Sequence, residues 1–237
     1  MYTSALQMRG FKMKIAGIVG GMGSLATVDF LKKVVEHTKA EKDQDHIRMI
    51  VDFNTSVPDR TAAILDDGED PTLYLVESVK MLEREKADFA VFICNTAYAF
   101  LDRVQKQVNI PVLNLPEMTL RKLKSKGIEE IWLTGTRGLL NSRVYQREAE
   151  KIGLTLKIPE ERLQESLMQI IYTVKAGQIK KASLIWFSDV EPYLDGHVLL
   201  GCTELPVVAK SKRLHLIDVN DEWAKIVIEI CGAEVNR

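Results

Sequence analysis

The sequence predicts an α/β fold made of two similar lobes, each with a parallel sheet. Short apolar segments alternate with longer amphipathic ones along the chain, which is the pattern of strands and helices in parallel sheets. The two halves also contain the same elements in the same order. Each contains an apolar strand, a glycine-rich turn, a helix and a later strand, and these later strands end in Cys94-Asn95-Thr96 and Gly201-Cys202-Thr203. A chain of 237 residues is long enough for one large domain or two small ones.

Short apolar runs predict four strands in the first half: Lys14–Val19, Arg48–Phe53, Phe89–Ile93 and Val112–Leu115. The third of these is apolar throughout, as expected for a parallel strand buried on both faces. The segments between and after them predict helices over residues 25–39, Thr72–Glu85 and Thr119–Ser125. Apolar residues in the second helix recur close to the helical period of 3.6 residues.

The second half repeats this alternation. Its predicted strands are Ile131–Thr134, Val198–Leu200 and Leu214–Asp218, and its predicted helices are Ser142–Lys151, Glu161–Ala176 and Glu222–Ile230. No linker rich in Pro, Ser or Gly divides the chain. We expect residues 1–115 and 206–237 to form the first lobe, which carries Cys94. Residues 116–205 are expected to form the second lobe, which carries Cys202.

The composition argues against several classes of protein. The formal net charge is −1, so no bulk positive field attracts nucleic acid or an anionic membrane. The longest run without charge, Ile15–Val28, is shorter than the roughly 20 apolar residues that span a bilayer. The three cysteines, Cys94, Cys202 and Cys231, lie far apart in the sequence and form neither a disulfide framework nor a CxxC metal site. This favours a cytoplasmic location. The apolar segment after Lys14 is too short for a signal peptide, and residues 1–13 are expected to be peripheral.

Two of the cysteines are candidates for chemistry. Cys94 and Cys202 each follow an apolar strand, and ligands of open α/β sheets bind beyond the carboxyl ends of strands. Neighbouring Thr hydroxyls and backbone N–H groups could bind a carboxylate and help to hold a sulfur as thiolate. The alternative is that each Cys is a small buried apolar residue. The matched contexts favour the functional interpretation, whereas Cys231 lies among apolar residues of the last helix and is expected to be core.

Four segments carry a family resemblance. The runs GIVGGMGSLAT, FNTSVPDRTAAIL, ICNTAYAF and LLGCTELP resemble those of the cofactor-independent aspartate/glutamate racemases, from about Lys14 to the C-terminus. The resemblance implies two pseudo-symmetric α/β domains with the active site in the cleft between them and one cysteine from each domain. It also implies racemisation by two bases, because one thiolate removes the α-proton while a thiol on the opposite face returns one. Neither a cofactor nor a metal is expected.

The resemblance also implies which residues bind the substrate. Arg60 matches an arginine placed near the substrate carboxylate, the alternative being a surface or helix-start arginine. Asn54, at the end of a predicted strand, is expected to face the same cleft, and the backbone of Met22 to line it. Lys175 could pair with the substrate's side-chain carboxylate, although a solvated lysine at a helix end fits equally well.

Further substrate contacts are expected around the two cysteines. Asn95, Thr96 and Ala97 would supply donors after Cys94, Thr203 mirrors Thr96, and Thr136 mirrors the first glycine turn in the second lobe.

The chain departs from the usual family pattern at three positions. Tyr98 stands where the family has the His of CNTAH, Ser24 replaces a Pro, and Leu139 replaces a Thr. A tyrosine cannot act as a cation near neutral pH. We therefore expect Tyr98, one turn after Cys94 if an α-helix begins there, to donate to the substrate or to orient Cys94.

These observations predict a racemase that interconverts L- and D-aspartate, with glutamate as a second candidate substrate. The partner is a small amino acid, and a homodimer is expected from the resemblance. Related cysteine chemistry (hydantoin racemisation, maleate isomerisation or arylmalonate decarboxylation) and a catalytically inactive acid-binding protein stay open as alternatives. The first glycine turn lacks the GxGxxG spacing, so a dinucleotide site is not predicted.

Overall fold

The computed structural model describes residues 13–236. The expected peripheral segment 1–13 lies outside this range except for its last residue. The first half forms β1 (Ala16–Gly20), α1 (Ser24–His37), β2 (Met49–Phe53), α2 (Arg60–Leu65), α3 (Thr72–Arg84), β3 (Phe89–Phe92), α4 (Leu101–Gln105) and α5 (Leu115–Ser125). The second half forms β4 (Glu130–Thr134), α6 (Arg137–Ser142), α7 (Val144–Ile152), β5 (Thr155–Lys157), α8 (Glu161–Lys175), α9 (Ile179–Ile185), β6 (His197–Leu200), β7 (His215–Asp218) and α10 (Val219–Cys231).

The three strands of the first sheet are arranged in the same order as the first three strands of the second sheet, and all strand pairings are parallel. The first runs β2-β1-β3 and the second β5-β4-β6-β7. Val112 forms a single parallel bridge to Ala90 of β3, in the position that β7 occupies beside β6. The predicted α/β fold with two pseudo-symmetric lobes and parallel sheets is therefore confirmed. β1 and β3 are buried throughout, as their apolar sequences require.

The predicted strand Val112–Leu115 is wrong. Only Val112 joins the sheet, and α5 begins at Leu115, four residues earlier than predicted. The Asn114 side chain caps this helix by accepting from the backbone N–H of Glu117, and Pro116 occupies the first turn, where its missing N–H costs nothing. The cap at Asn114 and the proline in the first turn favour a helix from Leu115 onwards, so the strand does not continue beyond Val112.

Several short elements were not predicted, namely α2, α4, α6, α9 and β5. The unpredicted helices have five to seven residues, which is less than two turns. A helix this short shows no repeating apolar pattern in the sequence. The predicted helix Ser142–Lys151 is interrupted at Arg143, which adopts a left-handed conformation with φ of 56° between α6 and α7. The last helix begins at Val219 because Asp218 caps it.

The last helix of each half packs against the opposite lobe. α10 lies on α1 of the first lobe, where Asn220 Nδ2 donates to the carbonyl of Ala26 over 3.2 Å and Lys33 pairs with Asp218. α5 correspondingly packs against α7. β7, which lies in the range 206–237 expected for the first lobe, extends the second sheet instead. The sequence of a short apolar strand does not indicate which sheet the strand joins. In this structure, β7 pairs with β6 and therefore belongs to the second sheet.

The apolar core is arranged around the two sheets. Its larger part contains β1, β3 and the packed helices α1, α3, α5 and α10, while a smaller part surrounds α8, α9 and β6. No helix within residues 13–236 is long and apolar enough to cross a membrane.

Candidate active site

A narrow cleft lies between the lobes, where strands of both sheets end. Both lobes contribute to its lining, which consists of Met22, Asp59, Arg60, Thr61, Cys94, Asn95, Thr96, Thr136, Lys175, Gly201, Cys202, Thr203 and Glu204. This is the edge at which ligands of parallel α/β sheets bind. Within the described part of the chain, no three His, Cys, Asp or Glu side chains are grouped to hold a metal ion.

Arg60 is the charged neighbour of Cys94. Asp59 caps α2 by accepting from two backbone N–H groups, and this places Arg60 at the first position of the helix. The buried guanidinium donates to the carbonyls of Val57, Pro58 and Met22 over 3.1, 2.8 and 3.1 Å. Burial opposes its charge, but Cys94, Asp59 and Glu204 together outweigh that cost and raise the pKa of Arg60. Arg60 is thus a fixed cation beside the first thiol, not a surface arginine.

Cys202 has a neighbour of the opposite charge. Its Sγ donates to Oε2 of Glu204 over 2.9 Å. Burial, and next the charge of Glu204, raise the pKa of Cys202 well above its ordinary value, although Lys175 acts in the other direction. Gly23 of the first lobe makes room for this carboxylate, because a Cβ there would lie 2.6 Å from Glu204 Oε1.

Lys175 supplies the second cation of the cleft. It is the last residue of α8, and its Nζ lies 5.7 Å from the centre of the Tyr172 ring. Burial opposes its charge, yet Glu204 and then the two cysteines outweigh this effect and raise the pKa of Lys175. The residue as a whole is solvent-exposed, while it also lines the cleft. The structure therefore places it in the candidate site instead of on a remote helix end.

Hydroxyls and amides from both lobes meet beside the cysteines. Thr136 caps α6 by accepting from the backbone N–H of Leu139, and its hydroxyl lies 3.0 Å from that of Thr96 in the first lobe. The hydroxyl of Tyr145 donates to Oδ1 of Asn95 over 2.5 Å. These two hydrogen bonds join the lobes directly around the cleft.

The structure does not bring Asn54 and Ala97 into the lining. Asn54 Nδ2 donates to Ser78 Oγ over 3.1 Å, and its Oδ1 accepts from the backbone N–H of Ser56. Ala97 is completely buried in the core. The roles of both in substrate binding stay predictions that the cleft geometry does not support.

The prediction that Tyr98 donates to the substrate or orients Cys94 is wrong. Its hydroxyl accepts from the backbone N–H of Phe92 over 3.2 Å, and its ring packs against Phe92 and Trp223 at 5.4 and 5.7 Å. The segment Asn95–Phe100 is a 3₁₀-helix with about three residues per turn, so a residue four positions after Cys94 does not return to the same side. Tyr98 is part of the core between the sheet and α10.

Sequence reasoning missed several lining residues, above all Glu204, and it also missed Tyr145, which contacts Asn95 from outside the lining. Glu204 stands in the motif GCTELP, but nothing local distinguishes it from a solvated turn residue. The position of its carboxylate beside Cys202 needs the space at Gly23, which becomes visible only in the folded protein. Tyr145 lies on a helix whose first turn the sequence did not locate correctly.

Comparison with known proteins agrees with this geometry. The family model described as Asp/Glu/Hydantoin racemase matches residues 19–227. The chain belongs to this racemase family. Its members catalyse isomerisations, so the broad prediction of an isomerase of the amino-acid racemase kind is supported.

Individual racemases cover almost the whole chain. An aspartate racemase from Picrophilus torridus has a TM-score of 0.84 and 30% sequence identity, covering 94% of this chain and 96% of its own. A broad specificity amino-acid racemase of Bacillus subtilis is 24% identical over 222 residues, which are 90% of this chain and 96% of that protein. An aspartate racemase homologue from Pyrococcus horikoshii, with a TM-score of 0.69 and 24% identity over 93% of this chain and 100% of its own, shares the fold.

Proposed function

We propose that this racemase-family protein interconverts the enantiomers of aspartate without a cofactor, with Cys94 and Cys202 as its two acid–base groups. One observation carries the proposal. Two buried thiols, one at the end of a strand in each lobe, line the same small cleft together with two cations. The similarity to an aspartate racemase over nearly the full length supports the choice of substrate.

The reaction needs groups on both faces of the α-carbon. A thiolate removes the α-proton, which breaks the C–H bond and leaves a carbanion conjugated with the carboxylate. The thiol on the other side then donates its proton to the opposite face, so that the two sulfurs exchange protonation states. No net oxidation occurs, and the product leaves with an inverted centre.

The charges of the cleft fit a dicarboxylic amino acid. The fixed cation Arg60 and the cation Lys175 both line the cleft, so each can face one carboxylate of aspartate. Positive charge near the reacting carboxylate stabilises the negative charge that develops when the proton leaves. The buried Glu204 carboxylate is a suitable partner for the substrate ammonium as well as for Cys202.

The test is exchange of the α-proton in deuterated water with no added cofactor. L- and D-aspartate, L- and D-glutamate and alanine are each incubated with the protein and followed by proton NMR and chiral chromatography. We expect aspartate to racemise, with deuterium in the product enantiomer before it enters the remaining substrate, as two bases require. An absence of exchange with every amino acid, despite binding of aspartate, would instead support an inactive acid-binding protein.

Variants of the cysteines complete the test. Cys94→Ser and Cys202→Ser should each lower racemisation by at least about 100-fold, because a hydroxyl is a far weaker acid than a thiol. Cys231→Ser is the matched control. Cys231 is buried in α10, outside the cleft, and burial raises its pKa to about 12. Near-normal activity of either cleft variant would contradict the two-thiol mechanism.

A further inference from the structure

Helix α8 holds the turn between β4 and α6 on both sides of Thr136. Gln164 Nε2 donates to the carbonyl of Gly135 over 2.9 Å, and the thioether sulfur of Met168 accepts from the backbone N–H of Arg137 over 3.3 Å. The carbonyl and the N–H belong to the two peptide units that flank Thr136. Because both planar units are bonded to one helix, the backbone dihedral angles of Thr136 have little freedom to change.

The spacing along α8 explains how one helix makes both contacts. Gln164 and Met168 are four residues apart, so their side chains lie on the same face in successive turns. Lys175 comes two turns after Met168 on the same side and lines the cleft. One face of α8 therefore carries both the contacts to the turn and the second cation of the cleft.

The Gln164 amide has a defined orientation. A carbonyl oxygen only accepts, so the end of the amide that faces Gly135 is Nε2. The other end, Oε1, is buried without a partner among the described residues, and Gln164 as a whole is 3% exposed. An unpaired buried acceptor is destabilising. An apolar side chain of similar size would avoid that cost but would leave the Gly135 carbonyl unpaired, so the bond to Gly135 is the specific contribution of this amide.

Thr136 is the residue through which these contacts reach the cleft. It lines the cleft, and its hydroxyl lies 3.0 Å from that of Thr96, two residues after Cys94 in the first lobe. A β-branched side chain is stiff at χ1, so this hydroxyl moves with the backbone of Thr136. A shift of the turn would therefore weaken the contact between the lobes beside Cys94.

We propose that Gln164 is a positioning residue, with Met168 as its weaker partner, which fixes the backbone of Thr136 so that the Thr136 hydroxyl stays against Thr96 beside Cys94. The inference rests on the proposed function for the reaction that this positioning serves. The restraint of the turn is a separate physical claim, and hydrogen exchange measures it without turnover.

Gln164→Glu tests the contact to Gly135 by changing one proton. The protonated carboxyl can donate to the Gly135 carbonyl as the amide does, whereas the ionised carboxylate has no hydrogen to donate. Burial raises the pKa of a carboxyl, so ionisation is expected above the ordinary value of about 4.3. We expect kcat for aspartate, relative to wild type at the same pH, to be close to one at acidic pH. It should fall about five- to tenfold as the new carboxyl ionises, as for the loss of one buried hydrogen bond.

Gln146→Glu is the matched control. Gln146 also donates its Nε2 to a backbone carbonyl, that of Leu140 over 2.8 Å, and its Oε1 is likewise buried and unpaired within the described part of the chain. It lies on α7 outside the cleft lining, so its variant should lose stability on ionisation without a pH-dependent loss of kcat. Met168→Leu keeps the volume of the side chain and removes a weak acceptor, and should lower kcat only about twofold.

Two further measurements separate positioning from general stability. In a Thr136→Val background, Gln164→Glu should cause no additional loss of kcat, because the glutamine acts through Thr136. Hydrogen exchange in the peptide that spans residues 135–142, followed by mass spectrometry, should be faster in Gln164→Glu than in wild type at alkaline pH. The two proteins should exchange equally at acidic pH.

A constant activity ratio at all pH values, an equal fall of kcat in Gln146→Glu, or a full additional loss in the Thr136→Val background would each overturn the inference. If the wild type racemises no amino acid, the proposed function fails, and unchanged hydrogen exchange in Gln164→Glu would then reject the restraint of the turn as well. If Gln164→Glu does not stay folded at alkaline pH, Met168→Leu decides, and wild-type kcat together with wild-type exchange in that variant would overturn the inference.

Discussion

Cys202 donates a hydrogen bond to Glu204 over 2.9 Å, whereas the charged side chain beside Cys94 is the guanidinium of Arg60. The two thiols have the same small exposure, 8% each, so burial alone does not distinguish them. Their neighbours do, because the carboxylate of Glu204 favours the protonated thiol and helps to raise the pKa of Cys202. The pseudo-symmetric lobes therefore surround the two sulfurs with opposite charges, and Glu204 helps to keep the proton on Cys202.

Glu204→Gln should lower the pKa of Cys202. The negative charge of Glu204 is one cause that raises this pKa, so its removal lets the thiolate form at lower pH. We expect the pH at which iodoacetamide alkylates Cys202 at half its maximal rate to fall by at least about one unit. Mass spectrometry of the peptide that contains Cys202 measures this, with Cys231 as the internal control. An unchanged or higher midpoint would show that Glu204 does not hold the proton on this sulfur.

Arg60→Lys should reduce both catalysis and stability. Lysine keeps the charge but cannot donate to Val57, Pro58 and Met22 at the same time, so the loop and α2 lose their anchor. Loss of a charge-assisted hydrogen bond to the substrate costs about 1.5–3 kcal/mol, which corresponds to a fall in kcat/KM of about 10- to 150-fold. Steady-state kinetics and thermal unfolding measure the two effects. Wild-type kinetics in a destabilised variant would make Arg60 a purely structural residue.

Lys175→Met should affect aspartate more than alanine. Alanine lacks the side-chain carboxylate, so it does not need a second cation in the cleft. We expect kcat/KM for aspartate to fall about tenfold or more, as for a charged hydrogen bond, and that for alanine to change little. Lys180→Met, an exposed lysine on the neighbouring helix α9, is the control. Equal losses on both substrates would exclude Lys175 as the residue that selects a dicarboxylate.

The sequence was sufficient for those parts of the fold and site that depend on local pattern. The apolar strands before Cys94 and Cys202 follow from neighbouring residues, and the family motifs pointed to Arg60, which does line the cleft. Contacts between segments that are far apart in the chain could not be predicted from the sequence. The burial of Glu204 depends on Gly23 in the other lobe, and the inward side of Tyr98 depends on a 3₁₀ turn that the sequence does not distinguish from an α turn.

Gly23→Ala tests the asymmetry of the thiols from the other side of the cleft. The backbone of Gly23 has φ of −116° and ψ of 151°, which alanine adopts without strain, so the change acts through space and not through conformation. The new methyl group would lie 2.6 Å from Glu204 Oε1, and the carboxylate must move because the backbone of α1 is fixed by its packing on α10. Replacing Gly by Ala at a helix N-cap should change stability by about 1 kcal/mol or less. We expect the alkylation midpoint of Cys202 to shift to lower pH, as in Glu204→Gln, and the double variant Gly23→Ala/Glu204→Gln to show no additional shift. If Gly23→Ala lowered the midpoint by the same amount in the Glu204→Gln background as in the wild type, Gly23 would influence Cys202 without Glu204. The assignment of Glu204 as the partner of this thiol would then fail.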